Sequence, residues 1–479
     1  MKPVNFQNIR QFTVSQSPIS THTGKGAGFM IILPHIFIFL VAIGSFLRRI
    51  FTTPDAAIYI NFTVSACLFL YIAVTLFLHI MPCRLRSPLS PRLKIMYGGR
   101  NILRYCLWGI LIQFPFYLAM YLAHWPSPDL ISAVVFFMDG AFCFLHFYLL
   151  ALNGCVRILF TCRRLGIATR IFIVFTLWIP LFNLFLLKYM SQMAKEEFDQ
   201  ENCRFENRRN RDGSLACATR YPILMLHGIG FRDLRYFNYW GRIPKELVKN
   251  GAIVYYGHQE AWGTIEDNAL IIKKKLEEIL LENHCDKVNI IAHSKGGLDA
   301  RYLISGLGMA EHVASLTTVS TPHRGSELLN ILNRLPDSVY RFIASLFDKS
   351  FAKFGDIRPD CYHSSKQLSP GFCLEFNEKY PDVQGVYYQS YASVVKHTFG
   401  DGLLSIPNLL MFLAGAPKND GLVTVDSAVW GNFRETFISS GRRGISHGDM
   451  IDLKREDYRG FDVLEAYVKM ASQLKEMGF

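Results

Sequence analysis

Charged residues are scarce in this sequence of 479 residues. Asp, Glu, Lys and Arg together make up 19% of the chain, whereas hydrophobic residues make up 50%. A soluble enzyme of this length usually carries more charge. We therefore expect the excess of apolar residues in particular segments. The length exceeds that of one ordinary domain and predicts two or three units.

Further absences narrow the range of functions. The 11 cysteines include no Cys-x-x-Cys pair, which argues against a zinc cluster and a thioredoxin-like site. Cys361 and Cys373 either form a disulfide in an oxidising compartment or remain free thiols. There is no internal repeat. We do not expect a signal peptide, because about 26 largely polar residues precede the first apolar run and no small-residue cleavage site follows it.

Several apolar stretches have the roughly 20 residues that a helix needs to cross a bilayer. They lie at about 28–47, 57–81, 102–123 and 130–156, with a shorter fifth segment at 171–187. The fifth segment contains Pro180 and is either a span or a re-entrant or interfacial segment. Asp139 and His146, on one face of the fourth stretch, are either a functional pair or a polar contact within a helical bundle. The sequence thus predicts a tail at 1–27 and an all-α transmembrane region of four or five helices at 28–190.

Positive charge is concentrated in this apolar half. Residues 1–200 hold 17 Lys and Arg against 6 Asp and Glu, whereas the remaining residues hold 34 against 33. Basic loops beside apolar helices are typical of the cytoplasmic side of a membrane, so we expect no nucleic-acid partner. Five spans would place the C-terminal half outside the cytoplasm, and four would place it inside. We predict a multi-pass protein of a bacterial cell membrane with an extracytoplasmic C-terminal half.

The C-terminal half alternates between strands and helices. A charged, solvated connector is expected at 191–219, and a single domain at 220–479. Strand candidates lie at 222–226, 252–256, 288–292, 313–319 and 386–392, with a helical stretch at 268–282. Strands separated by helices imply crossover connections and a mainly parallel sheet. The predicted class is therefore α/β, with helices flanking the sheet.

The residues around Ser294 are typical of a serine nucleophile. An apolar strand runs into His293-Ser294-Lys295-Gly296-Gly297, and a helix follows. This strand–turn–helix is the nucleophile elbow of an α/β-hydrolase, in which the turn lifts the serine hydroxyl above the edge of the sheet. Ala292 stands where a glycine is usual and adds only one methyl group. Upstream, a strand ends in His227-Gly228, a turn whose backbone supplies an oxyanion donor in this fold. We expect the amide of Ile229, or else that of Gly230, to act with the amide of Lys295.

A serine nucleophile needs a base, and in this fold the acid and then the histidine follow the serine. His447 is the last histidine of the chain and follows a probable strand at 436–439, so it is the expected base. The acid is expected between Ser294 and His447. Asp420, in a turn, ranks first and Asp426 second, with Asp401 as a third candidate.

Five motifs in order make residues 220–479 resemble the bacterial triacylglycerol lipases of the staphylococcal and Burkholderia type. They are His227-Gly228, Ala292-His293-Ser294-Lys295-Gly296, Thr321-Pro322-His323-Arg324-Gly325-Ser326, Asn419-Asp420-Gly421-Leu422-Val423 and Ser446-His447-Gly448-Asp449. The resemblance implies an α/β-hydrolase fold, a triad of Ser294, Asp420 and His447, and no cofactor for the chemistry. It also implies a lid after the Thr-Pro-His motif, for which 328–354 is the candidate, and a structural role for His323. Relatives bind a structural calcium ion through an acid two residues after the catalytic histidine, the position of Asp449 here.

The predicted function follows from these features. We expect a membrane-anchored serine hydrolase that cleaves carboxylic esters, with lipids as substrates, through an acyl-enzyme. An acyltransferase or a phospholipase would use the same triad. A catalytically silent membrane scaffold is a further alternative, and the complete triad argues against it.

Overall fold

The computed structural model describes residues 90–124, 130–179, 182–211, 215–230, 238–353, 355–402, 404–416, 418–458 and 460–479, with short helical pieces between 65 and 80. The chain forms two compact units that divide between Arg209 and Asn210. The predicted tail at 1–27, the first apolar segment at 28–47 and most of the second at 57–81 lie outside the described residues.

The unit before the division is helical where it is described. Its helices are α1 (Pro91–His124), α2 (Leu130–Thr161), α3 (Ile167–Thr176) and α4 (Phe182–Arg211), the last of which runs past the division. The helices α1 and α2 approach closely where two glycines meet. A β-carbon on Gly154 would lie 3.0 Å from the carbonyl oxygen of Gly99 and 2.6 Å from Cδ2 of Leu103. Small residues permit this kind of close backbone approach between helices.

The apolar segments that the structure describes are helical, but they do not all have the predicted form. α1 and α2 cover the segments at 102–123 and 130–156. Within the described ranges, one stretch, Phe144–Thr161, is long and apolar enough to cross a membrane. The fifth segment is not one helix, because α3 ends at Thr176 and α4 begins at Phe182. The 10 residues of α3 are about 15 Å long, half of the roughly 30 Å of a bilayer core.

The prediction of a solvated connector is wrong for its first part, which continues as α4. Glu197 is buried, accepts the N–H of Arg164 at 3.0 Å and forms an ion pair with Arg92. A carboxylate needs such partners when it leaves water. His146 of α2 is also buried, and its ring centroid lies 5.1 Å from that of Phe147. The side chain of Asp139 lies outside the described part of the structure.

The second unit is built on six parallel strands in the order β2-β1-β3-β4-β5-β6. They are β1 (Ile223–Leu226), β2 (Val254–Tyr256), β3 (Val288–His293), β4 (Val313–Val319), β5 (Tyr387–Ser393) and β6 (Asn432–Phe437). The central strands β3 and β4 are buried along their whole length, as expected for a parallel sheet covered on both faces. β1 to β5 match the predicted strands, and β6 begins four residues before the predicted strand at 436–439.

Helices lie on both faces of this sheet and in the connections between its strands. They are α5 (Ile243–Lys249), α6 (Ile265–Asn283), α7 (Gly296–Arg301), α8 (Glu327–Leu332), α9 (Asp337–Lys353), α10 (Cys361–Lys366), α11 (Pro370–Lys379), α12 (Ser405–Leu413), α13 (Val425–Ala428) and α14 (Val463–Glu476). Side chains alternate along β1, so that Ile223 and Met225 pack in one core with α5 and α14, and Leu224 and Leu226 pack in another with α6. The α/β-hydrolase fold predicted for this unit is confirmed, whereas a transmembrane bundle remains a prediction.

Candidate active site

Ser294 lies in the sharp turn between β3 and α7. Its φ angle is +54°, in the left-handed region that costs a non-glycine residue roughly 1–2 kcal/mol. The turn is also crowded. A β-carbon on Gly296 would collide with the carbonyl oxygen of His227, and one on Gly297 would collide with the side chain of Thr321. The local sequence therefore supplies glycine where the chain passes closest to its neighbours and keeps a strained serine at the tip.

The His227-Gly228 turn lies beside Ser294. A β-carbon on Gly228 would lie 3.2 Å from Oγ of Ser294. Two amides follow this turn, those of Ile229 and Gly230, and that of Gly230 donates to the carbonyl oxygen of Ala261 at 2.9 Å. The amide of Ile229 donates to no acceptor within the described residues, and neither does that of Lys295. Within the described residues, the amides of Ile229 and Lys295 therefore differ from that of Gly230 in having no acceptor.

His447 and Asp420 contact each other directly. Nδ1 of His447 lies 2.9 Å from Oδ2 of Asp420, and both side chains are buried. The other oxygen of Asp420 accepts the N–H groups of Leu422 at 3.1 Å and Val423 at 2.9 Å. The main chains are joined as well, because the N–H of His447 donates to the carbonyl oxygen of Asp420 at 2.8 Å. Since a carboxylate accepts hydrogen bonds, Nδ1 carries the proton and Nε2 is the basic nitrogen.

The other two acid candidates have different surroundings. Asp426 is exposed in α13. Asp401 is buried, but it accepts hydrogen bonds from Arg443, Ser446 and Lys454. Of the three acids, Asp420 is therefore the one that the fold places on His447.

Ser294 and His447 line the same pocket. Most of its remaining wall is apolar and includes Ile229, Leu404 and Leu422. No hydrogen bond between Ser294 and His447 is formed in the part of the chain that the structure describes. In hydrolases without substrate, this bond is often long and tightens only in the complex.

The side chain of Lys295, the residue after Ser294, is buried in an ion pair. Its Nζ lies 2.6 Å from Oδ1 of Asp299, and both side chains are 1% exposed. Nδ2 of Asn268 donates to the other oxygen of Asp299 at 3.2 Å. Burial raises the pKa of the Asp299 carboxyl to about 6, against the opposing effect of the Lys295 ammonium group. The ion pair fixes the first turn of α7 and so the backbone that follows the serine.

Tyr239 lines the pocket, and the sequence does not indicate it. Its hydroxyl oxygen accepts the N–H of Gly228 at 3.0 Å and lies 2.7 Å from Nδ1 of His293. The rings of His293 and His447 are 4.4 Å apart between centroids. Burial, and then the charge of His447, lower the pKa of His293 well below its usual value, so this ring stays neutral. Tyr239 reaches the pocket from an irregular turn, where neither periodicity nor a motif marks it.

Asp449, the predicted calcium ligand, does not fit that role. Its two oxygens accept from Nη1 and Nη2 of Arg443 at 2.5 and 3.0 Å, and Oδ2 also accepts the N–H of Ser446 at 2.8 Å. A calcium ion takes about six to eight oxygen ligands, and here a guanidinium group occupies the carboxylate. In the described ranges, no three His, Cys, Asp or Glu side chains are grouped to hold a metal. The calcium prediction is therefore not supported by the residues present.

His323 has the structural surroundings expected for it. Its Nε2 lies 3.0 Å from Oγ1 of Thr318, and its ring stacks on Trp430 with centroids 4.9 Å apart. Burial lowers the pKa of His323 well below its usual value. This histidine contributes to packing between β4 and the segment before β6.

The segment predicted as a lid is mainly helical. The lid candidate at 328–354 includes most of α8 and all of α9, and α9 exposes Phe342 and Leu346. No described residue of α9 lines the pocket at Ser294.

Cys361 and Cys373 are buried free thiols, so the disulfide alternative is wrong.

Comparisons with known proteins give consistent relatives for about half of the chain. No protein-family model matches the chain. Triacylglycerol lipase 2 of Saccharomyces cerevisiae is 30% identical over 269 residues, which cover 52% of this chain and 77% of the yeast protein. The triacylglycerol lipase of Pseudomonas fragi is 28% identical over 296 residues, which cover 54% of this chain and 98% of that protein. Among solved structures, mature Bacillus licheniformis lipase BlEst2 matches 50% of this chain and 88% of its own at 20% identity, with a TM-score of 0.39.

Proposed function

The chain belongs to the triacylglycerol lipase family and is a carboxylic ester hydrolase, and from this premise we propose that it cleaves lipid esters with Ser294, His447 and Asp420 as a catalytic triad. The observation that carries the proposal is that Ser294, held at a strained turn, lines one pocket with His447. The 2.9 Å contact between His447 and Asp420 supports the assignment of the acid.

The proposed reaction passes through an acyl-enzyme. Nε2 of His447 takes the hydroxyl proton of Ser294 as Oγ attacks the carbonyl carbon of the ester. Asp420 holds the imidazole in the right tautomer and stabilises its charged form. The leaving alcohol takes the proton back from His447, and the acyl group stays on Oγ. His447 then takes a proton from a water molecule as its oxygen attacks the acyl carbon. The bond from that carbon to Oγ breaks, the carboxylic acid leaves, and Oγ of Ser294 takes the proton back from His447.

The amides of Ile229 and Lys295 form the proposed oxyanion hole. Neither has another acceptor within the described residues, whereas the amide of Gly230 does. A preorganised N–H group of this kind is typically worth about 3 kcal/mol of barrier height. The buried pair of Lys295 and Asp299 keeps one of the two donors in place before substrate arrives.

Lipids are the proposed substrates because the pocket wall is mostly apolar. Ile229, Leu404 and Leu422 surround the serine, and Ile451 and Leu453 extend the wall. An acyl chain loses water-exposed area on entering such a pocket, at about 25 cal/mol per Å² of apolar surface. Short and long acyl esters should therefore differ in KM.

We further propose that the chain is anchored in a membrane by the region at 28–190, with the hydrolase domain at 220–479 following the segment at 191–219. The apolar stretch Phe144–Thr161 supports this. Several large apolar side chains of α2 are exposed, among them Phe144 at 73% and Phe160 at 83%. Exposed apolar patches of this kind fit contact with lipid better than contact with water. Washing membranes that contain the full chain with alkaline carbonate should leave it in the pellet, and release into the supernatant would contradict anchoring.

The triad is tested by Ser294→Ala in the full chain, assayed with a short-chain chromogenic ester. We expect turnover to disappear. Ser364→Ala is a matched control, because Ser364 is also a buried serine and its hydroxyl has no hydrogen-bond partner in the described part of the chain. The control should keep wild-type turnover. Undiminished hydrolysis by Ser294→Ala would refute the assignment of the nucleophile.

A further inference from the structure

Two buried carboxylates, those of Asp401 and Asp449, lie at the loop that carries His447 and share one guanidinium group. Arg443 donates to both oxygens of Asp449, and its Nη2 also donates to Oδ2 of Asp401 at 3.0 Å. Nζ of Lys454 donates to the other oxygen of Asp401 at 2.5 Å. Two negative and two positive charges are thus balanced within one cluster, and a buried ion needs such compensation.

Ser446 connects this cluster to His447. Its hydroxyl donates to Oδ2 of Asp401 at 2.6 Å, and its N–H donates to Oδ2 of Asp449 at 2.8 Å. Ser446 immediately precedes His447, and Asp449 follows two residues later. The backbone is therefore held on both sides of the imidazole. All four carboxylate oxygens accept a donor from this chain.

The cluster also bridges distant parts of the chain at the pocket. Asp401 follows β5 and lines the pocket together with Ser294 and His447. Arg443 lies 42 residues further along and reaches Asp401 from the loop after β6. The guanidinium group thus joins the wall of the pocket to the loop of the base. Arg443 also lies over the ring of Tyr458, 4.5 Å from its centroid, which limits its freedom to move.

We propose that Arg443, assisted by Lys454, is a positioning residue that supplies from within the chain the positive charge needed to hold the His447 loop, so that hydrolysis does not depend on calcium. The proposal rests on the proposed role of His447 as the base. Arg443 contacts neither Ser294 nor Asp420, and it acts through Ser446 and Asp449. Removing it leaves two buried carboxylates with too little positive charge, and the loop shifts to relieve their repulsion.

The expected effect is a loss of turnover. A displacement of a reacting group by about 1 Å can lower a rate by roughly 10²-fold. We therefore expect Arg443→Ala to lower kcat by about 10-fold to 10²-fold with little change in KM, because the apolar wall that binds the acyl chain is untouched. Arg443→Lys keeps a positive charge and should retain more of kcat than Arg443→Ala does.

The experiment uses the full chain in membranes and measures kcat and KM with and without EDTA, and then with added calcium chloride. Wild-type kcat should be the same in all three conditions. Calcium should raise kcat of Arg443→Ala, because two carboxylates then face the space that the guanidinium group has left. Arg442→Ala is the matched control, since this neighbouring arginine is exposed. It should behave like wild type.

Two results would overturn the proposal. One is inactivation of the wild-type protein by EDTA with recovery in calcium, which would mean that an ion holds the loop. The other is an Arg443→Ala protein that remains folded, as judged by its thermal unfolding midpoint, and keeps wild-type kcat. If Arg443→Ala does not fold, the EDTA result on the wild-type protein still decides. Loss of turnover in Ser294→Ala shows independently whether the proposed nucleophile stands, so failure of the two proposals can be told apart.

Discussion

Gly228 offers a steric test of the site, because it is packed directly against the proposed nucleophile. A β-carbon there would lie 2.7 Å from Cβ of Ser294 and 2.8 Å from the hydroxyl oxygen of Tyr239. The φ angle of Gly228 is not positive, so alanine can adopt the same backbone conformation. The effect of Gly228→Ala should therefore come from the new contacts alone.

The magnitude follows from these distances. Carbon atoms in contact normally lie about 3.5–4.0 Å apart, so Ser294 or Tyr239 must move by nearly 1 Å. Overpacking of this kind typically lowers the free energy of unfolding by about 1–3 kcal/mol. A shift of about 1 Å in a reacting group can lower the rate roughly 10²-fold. We expect Gly228→Ala to lose about 10²-fold in kcat/KM and a few degrees in its unfolding midpoint.

The assay is hydrolysis of a short-chain chromogenic ester by the full chain, at a temperature well below the unfolding midpoint of the variant. Gly371→Ala in α11 is the control, because a β-carbon at Gly371 meets nothing within 4 Å. It should match wild type in both measurements. If Gly228→Ala keeps wild-type kcat/KM, then Gly228 does not lie against the reacting serine and the geometry described here is refuted.

Two further predictions concern buried carboxylates. Asp420→Asn should lower kcat by roughly 10³-fold to 10⁴-fold, because an amide no longer holds the productive tautomer of His447, and a rate within tenfold of wild type in the same ester assay would contradict this. Folding raises the pKa of Asp299 from 3.8 to about 6, so its stabilising contribution is present below about pH 4 and is lost as the pH rises through about 6. Asp299→Asn should therefore lack that decline when unfolding midpoints are measured from pH 4 to 7, and an unchanged decline would show that another group causes it.

Much of the hydrolase unit could be predicted because its signals are local. The apolar runs that form β1, β3 and β4 are short and continuous, and the Gly-rich turn after β3 shows where the chain bends. Asp420 and His447 lie in turn motifs whose order along the chain suits the fold. Such features depend on a few neighbouring residues, so a single sequence contains them.

The features that the sequence did not predict depend on residues that are distant along the chain. A solvated connector was predicted around Glu197, because the sequence does not show that this carboxylate pairs with Arg92, 105 residues away. The resemblance implied a metal ligand at Asp449, and the sequence does not show that Arg443 also reaches Asp401, which lies 42 residues away. Tyr239 gave no signal for the same reason, since it meets His293 across 54 residues. Side-chain pairing across the fold decides burial and charge balance, and periodicity does not encode it.

Covalent labelling tests whether Ser294 is an activated nucleophile. The full chain is treated with a fluorophosphonate probe, digested and analysed by mass spectrometry. We expect one adduct, on the peptide that contains Ser294, which is lost in Ser294→Ala and in protein unfolded before treatment. If the intact protein takes up no probe, or takes it up on another serine while Ser294 stays unmodified, then Ser294 is not the nucleophile.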